Sequence, residues 1–217
     1  MSPLLDTASR VYAGAVEASR VYAGSALIYQ KASAPAGVNL FSGTISNPDQ
    51  AVDATGYVFG TEFWVNKAGC YVTKVRYFHP TVGTLTPRTM ALYSTTNGTA
   101  STKVGGDWTM PTPTAGAWCS YTLPTPIALT ANLHYRIACL HPTNTGFARD
   151  YNWFWSGGAE PGAAQTTIGG FLVRPGSAQA YNTCQGSYIA SATMAFPNQV
   201  YNYAAYYIDV EVTDVAP

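Results

Sequence analysis

The stretch RDYNWFWSGGAEPG, residues 149–162, gathers the densest set of side chains able to hold a ligand. In an extended chain Tyr151, Trp153 and Trp155 share one face, and Asn152 and Phe154 share the other. Aromatic faces accept the C–H faces of sugars, while Arg149, Asp150 and Asn152 offer hydrogen-bonding groups beside them. Arg149, Asp150, Tyr151, Asn152, Trp153 and Trp155 are therefore the candidate ligand-binding residues, and carbohydrate is the candidate ligand. The competing role is structural, because aromatics also fill the cores of β-proteins. The tyrosines of VYNYAAYY (200–207) pose the same choice between a glycan site and a subunit interface.

Catalytic chemistry has little to work with. The three histidines are His79 and His141, each just before a proline, and His134 within an apolar run. No GxSxG, HExxH or phosphate-binding loop occurs. Glycoside hydrolysis needs two facing carboxylates, and Asp49, Asp53, Glu62, Asp150 and Glu160 are the only acids placed to supply them. The expectation is a protein that is not an enzyme and carries no cofactor. The four cysteines, Cys70, Cys119, Cys139 and Cys184, form no CxxC pair and match no zinc spacing. They read as small buried side chains or as one disulfide. No DxDxDG-like run supports calcium, so no metal is expected.

Eleven basic residues balance eleven acidic ones, and only 10% of the chain is charged. Such a chain has no net field to attract nucleic acid, and no apolar run is long enough to insert in a membrane. Ser, Thr, Asn, Gly and sixteen tyrosines take the place of charge, which suits a surface facing the extracellular world or neighbouring subunits. Asp6 interrupts the opening MSPLLDTASR where a secretion signal needs an apolar core. An outward-facing composition without an export signal points to a virion protein, made in the cytoplasm and exposed on the particle surface.

The elements that must position these residues are strands. GYVFGTEFWV (56–65) is a continuous buried run, and CYVTKVRYF (70–78) alternates, with Tyr71, Thr73, Val75 and Tyr77 on one face. TMALYST (89–95) ends at the turn signal Asn97-Gly98. WCSYTLPTPIALT (118–130) and LHYRIACLH (133–141) follow as strands. In YYIDVEVTD (206–214), Ile208, Val210 and Val212 face inward while Asp209, Glu211 and Thr213 face outward. The predicted fold is all-β, a jelly-roll-like antiparallel sandwich over residues 51–217. A short strand or hairpin arm precedes it over 1–31, with 32–50 as linker and first strand.

The arm carries ASRVYAG twice, at 8–14 and 18–24. A turn at Ala13-Gly14 would set Tyr12 beside Ala15, Val11 beside Val16 and Arg10 opposite Glu17, although alanine resists the positive φ that this turn requires. Paired hairpins this small need a surface to cover them. Arg10, Val11, Tyr12, Gly14, Arg20, Val21, Tyr22 and Gly24 are accordingly the candidate anchoring residues, docking on another virion protein or back on the chain's own domain.

Two resemblances fit this division. YVFGTEFWVNKAGCYVTKVRYF, ALYSTTNG, AGAWCSYTLPTPIALTANLHYRIAC and FPNQVYNYAAYYIDVEV, in that order, resemble an uncharacterised β-sandwich family attached to bacterial secreted carbohydrate-active and adhesin-like proteins. The tandem VY-x-G units resemble the N-termini of minor tail proteins from phages of actinobacteria. Together they imply a tail-tip or tail-fibre protein, forming a homo-oligomer such as a trimer, with a sandwich displayed toward host-surface glycan. A capsid decoration protein and a carbohydrate-binding module of a bacterial surface protein are the alternatives.

Overall fold

The computed structural model describes residues 36–41, 45, 48–151, 153, 164–176, 180 and 185–215. Residues 12–13, 16–17, 20–23 and 26–30 are described through their backbone pairing. The chain divides into two units, Met1–Pro35 and Ala36–Pro217.

In the first unit, β1 (Tyr12–Ala13) pairs antiparallel with β2 (Val16–Glu17), and β3 (Arg20–Ala23) with β4 (Ala26–Gln30). Ala13 pairs with Val16, and ten residues later Ala23 pairs with Ala26. The duplicated sequence thus makes a duplicated hairpin with the same offset. The pairing is offset by two residues from the expected one, since Tyr12 rather than Arg10 pairs with Glu17.

The second unit is an antiparallel sandwich, as the alternation predicts. Its strands are β5 (Val38–Asn39), β6 (Asp49–Val52), β7 (Tyr57–Val65), β8 (Cys70–His79), β9 (Thr89–Thr95), β10 (Ser101–Thr109) and β11 (Ala117–Leu129). There follow β12 (His134–His141), β13 (Gly146–Arg149), β14 (Thr166–Ile168), β15 (Leu172–Arg174), β16 (Gly186–Ala190) and β17 (Ile208–Thr213). The larger sheet runs β10-β9-β12-β7-β15-β14, with β16 also pairing β7, and the smaller runs β11-β8-β17-β5. β6 and β13 form a separate two-stranded ribbon. Phe59, Phe63 and Val65 of β7, Leu92 of β9 and Ile137 of β12 bury themselves in the same core as Val72, Val75 and Tyr77 of β8 and Val210 of β17.

β7 reads as one continuous apolar run because both of its faces are covered. Its outward residue Val58 joins Ala91, Tyr93 and Ala138 in a second cluster, capped by Met194, Ala195 and Phe196. This strap, residues 192–199, approaches so closely that a Cβ on Gly60 would sit 2.7 Å from Pro197 Cγ and 2.8 Å from the Ile137 carbonyl oxygen. The strap is held by charge as well. Arg136 Nη1 donates to the Pro197 carbonyl at 2.6 Å, its guanidinium lies 4.9 Å from the Phe196 ring centre, and its Nη2 pairs with Glu62.

Two expectations need correction, both on β8 and β17. Within 32–50, read as linker and first strand, β5 pairs with β17, and Leu40 and Phe41 are buried. Asp209 is the cause, since its carboxylate accepts from Leu40 N at 2.8 Å and Phe41 N at 3.3 Å while pairing with Arg76 at 2.6 Å. Asp209 therefore faces away from the core but not toward water, and is fully buried. Finally, Tyr71 and Thr73 do not share a face with Val75 and Tyr77. β17 skips Thr73, pairing Glu211 with Lys74 and Val212 with Val72, and this bulge moves the buried face from Val72 to Val75.

Candidate functional site: a tyrosine-walled cleft

The β6–β13 ribbon carries the site. Alternation along β13 puts Phe147 and Arg149 on one face, and the next residue of that parity, Tyr151, continues it. These three line a cavity of ≈ 320 Å³. Asp53, just past β6, adds a carboxylate, and Tyr57 and Phe59 of β7 form another wall. Tyr188 of β16, Tyr201 and Tyr206 complete it. A volume near 300 Å³ is the lower end of the range for small-ligand sites.

The rings are interlocked. Phe59 stacks on Tyr206 at 4.3 Å and touches Phe147 at 4.6 Å. Tyr57 meets Tyr188 at 6.1 Å and 63°, Tyr188 meets Tyr201 at 6.4 Å and 81°, and Tyr201 meets Tyr151 at 5.9 Å and 65°. Tyr201 is 49% exposed and Tyr151 36%, so both keep ring surface open to a ligand. The Arg149 guanidinium lies 4.3 Å from the Tyr151 ring centre and 5.3 Å from that of Phe147, while its Nε donates to Asp49 at 2.8 Å. Asp53 Oδ1 accepts from Thr55 N at 2.7 Å, which fixes the carboxylate at the end of β6.

The segment that brings Tyr201 and Tyr206 is held in an unusual backbone. Asn202, Tyr203 and Tyr207 have φ of 47°, 49° and 52°. Bulky residues rarely adopt this left-handed region, and such conformations gather at sites where the surroundings enforce them. Here the enforcement is visible. Ala205 bridges to Asp150 by two backbone hydrogen bonds of 3.0 Å, and the Tyr207 hydroxyl donates to the Asp150 carboxylate. Burial, then that bond, push the Tyr207 phenol well above its usual range.

The expected YNWFW platform is split by this arrangement. Arg149 and Tyr151 reach the cleft, but Asp150 points to Tyr207 on the other side of the strand. Trp153 does not join Tyr151. Its ring packs 5.8 Å from Tyr207 and 6.3 Å from Phe41, against the core. The chain turns at Tyr151 instead of remaining extended, so the period-two reading stops there. Asn152 and Trp155 lie outside the described residues, as do Arg10, Val11, Gly14 and Gly24 of the arm. Tyr12, Arg20, Val21 and Tyr22 fall within β1 and β3. Sequence reasoning singled out Tyr201 and Tyr206 only as an open question in VYNYAAYY, and missed Tyr57, Phe147 and Tyr188, which no local pattern unites.

Of the acids considered for hydrolysis, Asp53 lines the cavity and Asp150 accepts from the Tyr207 hydroxyl. Glu62 is fully buried, paired with Arg136 and 2.7 Å from His134 Nδ1; Asp49 is paired with Arg149; and Glu160 lies outside the described residues. Behind the cleft, His141 sets its ring edge-on to Phe59 at 4.9 Å and receives a hydrogen bond from the buried Arg88 at 2.6 Å. Burial, with Arg88 beside it, holds His141 well below the usual imidazole range. Cys70, Cys119 and Cys139 are buried thiols, and burial pushes that of Cys139 up to about 12. Among the described residues no group of three His, Cys, Asp or Glu could hold a metal ion.

Residues 42–208 match the model of the family described as a domain of unknown function, DUF4082. The chain belongs to that family. The match covers every cleft residue and most of the sandwich, with β5 and the part of β17 after Ile208 lying outside it. The hairpin arm lies outside the family's span. No curated protein matches the chain.

Proposed function

We propose that this member of the family is an adhesive virion protein. Its sandwich binds host-surface carbohydrate in the tyrosine cleft, and its N-terminal arm attaches it to other tail or capsid proteins. The observation that carries the binding role is the cavity itself. Open tyrosine rings, a carboxylate and an arginine converge on ≈ 320 Å³ at one end of a rigid sandwich. A pyranose needs the same combination: ring faces for its C–H surface and fixed polar groups for its hydroxyls. The tyrosine hydroxyls add donors and acceptors at little entropic cost, as each ring has only two side-chain torsions.

Support for the virion role comes from the sequence. The tandem ASRVYAG arm resembles phage minor tail proteins, and the neutral, hydroxyl-rich composition suits an exposed particle component. A glycan array with wild type and Tyr201→Ala, together with mass spectrometry of purified particles, tests both halves. Binding lost in the folded variant, and the chain present in particles, are the expected results. Binding with absence from particles would leave the alternative of a bacterial surface module. An array without hits would remove the adhesive role.

A further inference from the structure

The cleft has an uneven charge balance, and its rings are arranged to suit one sign of charge. We infer that its preferred carbohydrate carries a free, protonated amino group, as a deacetylated hexosamine does. This rests on the carbohydrate reading above and deepens it.

One carboxylate, Asp53, and one cation, Arg149, line the cleft, and a second carboxylate, Asp49, holds the cation from outside the lining. Arg149 is committed to Asp49 by the 2.8 Å bond from Nε, which leaves Asp53 as the uncompensated charge on the lining. The Asp53 side chain contacts the Thr55 amide at 2.7 Å through Oδ1, so Oδ2 remains as an acceptor for a ligand cation. The neighbouring Asp150 is turned away toward Tyr207 and takes no part. Arg88, the buried cation behind the wall, is engaged by His141 and the Gly146 carbonyl and is not a lining residue.

The rings point the same way. Tyr57, Tyr188, Tyr201 and Tyr151 form a chain in which each ring crosses the next at 63°, 81° and 65°. Rings set across one another in sequence turn π faces, as well as edges, toward the space they bound. Those faces are electron-rich and attract cations. The chain's own guanidinium demonstrates it, lying 4.3 Å from the Tyr151 ring centre. An ammonium on a sugar would sit between Asp53 and the tyrosine faces while the pyranose C–H surface covers Tyr201. An N-acetyl group would cancel the charge, and a uronate would meet Asp53 with like charge.

The test is a titration of the full chain with four oligosaccharide sets of equal length at about pH 6, where the amine is protonated. The sets are β-1,4-glucosamine, β-1,4-N-acetylglucosamine, β-1,4-glucose and galacturonate. Glucosamine binding about tenfold tighter than glucose is expected, the gain of one charge-assisted hydrogen bond. That ratio should shrink in high salt, and Asp53→Asn, which keeps the acceptor for Thr55, should bring it to about twofold or less. Equal affinity for glucosamine and glucose, or a preference for the acetylated or acidic sugar, overturns this inference and leaves carbohydrate binding standing. Failure of all four sets, and of every glycan on an array, overturns both.

Discussion

Replacing Arg136 by methionine should be among the most damaging single changes in the sandwich. Arg136 and Glu62 are both fully buried, and their ion pair lies under the strap that covers the outer face of β7 and β12. Methionine fills much of the volume but removes the cation, the 2.6 Å donation to the Pro197 carbonyl and the stacking on Phe196. What remains is a buried carboxylate stripped of its guanidinium. Breaking a buried pair from one side costs about 3–5 kcal/mol, because the desolvated charge stays behind. The double variant Glu62→Leu, Arg136→Met removes both charges and should recover most of that loss, to within about 2 kcal/mol of wild type. Urea unfolding of the three proteins measures these values. Amide exchange adds a local readout, with residues 192–199 exchanging faster in Arg136→Met than the core strands do. A single variant costing under about 1 kcal/mol, or a double variant less stable than the single, would refute the claim that this pair holds the strap.

Further outcomes follow from the buried groups and the ribbon. His141 stays neutral in the folded state, whereas an unfolded histidine takes up a proton below about pH 6.5. Its contribution to stability is therefore complete above that pH and declines as pH falls, by about 2 kcal/mol between pH 6.5 and 5. Denaturation curves across this range should show the decline in wild type and a flatter response in His141→Gln. Gly146→Ala would drive a Cβ into the Val82 carbonyl and to 2.8 Å from Pro80 Cγ, distorting the strand that carries Phe147 and Arg149. It should cost about 1–3 kcal/mol in thermal unfolding and weaken any cleft ligand, and a neutral result would mean that the loop at 80–83 yields freely. Removing residues 1–35 should leave the sandwich folded with an unchanged melting temperature, as the chain divides into separate compact units after Pro35. The same truncation should be missing from purified particles, and normal incorporation would rule out the arm as the anchor.

The long strands were legible because their periodicity is enforced by burial on one or both faces. β7, β8, β9, β11, β12 and β17 fall within two residues of the runs read from sequence. β10 was not legible, since Gly105, Gly106 and Asp107 lower strand propensity and its register shifts twice against β9. β6, β14, β15 and β16 are too short to show a period. The site was half legible for a related reason. Arg149 and Tyr151 were found because one strand presents them. Tyr57, Tyr188 and Tyr201 arrive from three separate segments, and only the pairing of β16 with β7, and of Tyr188 with Gln199, brings them together. Trp153 packs against the core rather than beside Tyr151 because the chain turns there, a feature that a run of aromatics does not signal. In the arm, the repeat announced two units, but the pairing of Tyr12 with Glu17 was not the one expected.

The central claim is that the tyrosine cleft is where this protein meets carbohydrate. Amide chemical-shift mapping of the labelled sandwich during titration with an oligosaccharide bound on the array tests it most directly. Shifts concentrated at Asp53, Phe147–Tyr151, Tyr188 and Tyr201, abolished in Tyr201→Ala, are the predicted result. Shifts confined to another face of the sandwich, or none at saturating sugar, would contradict it.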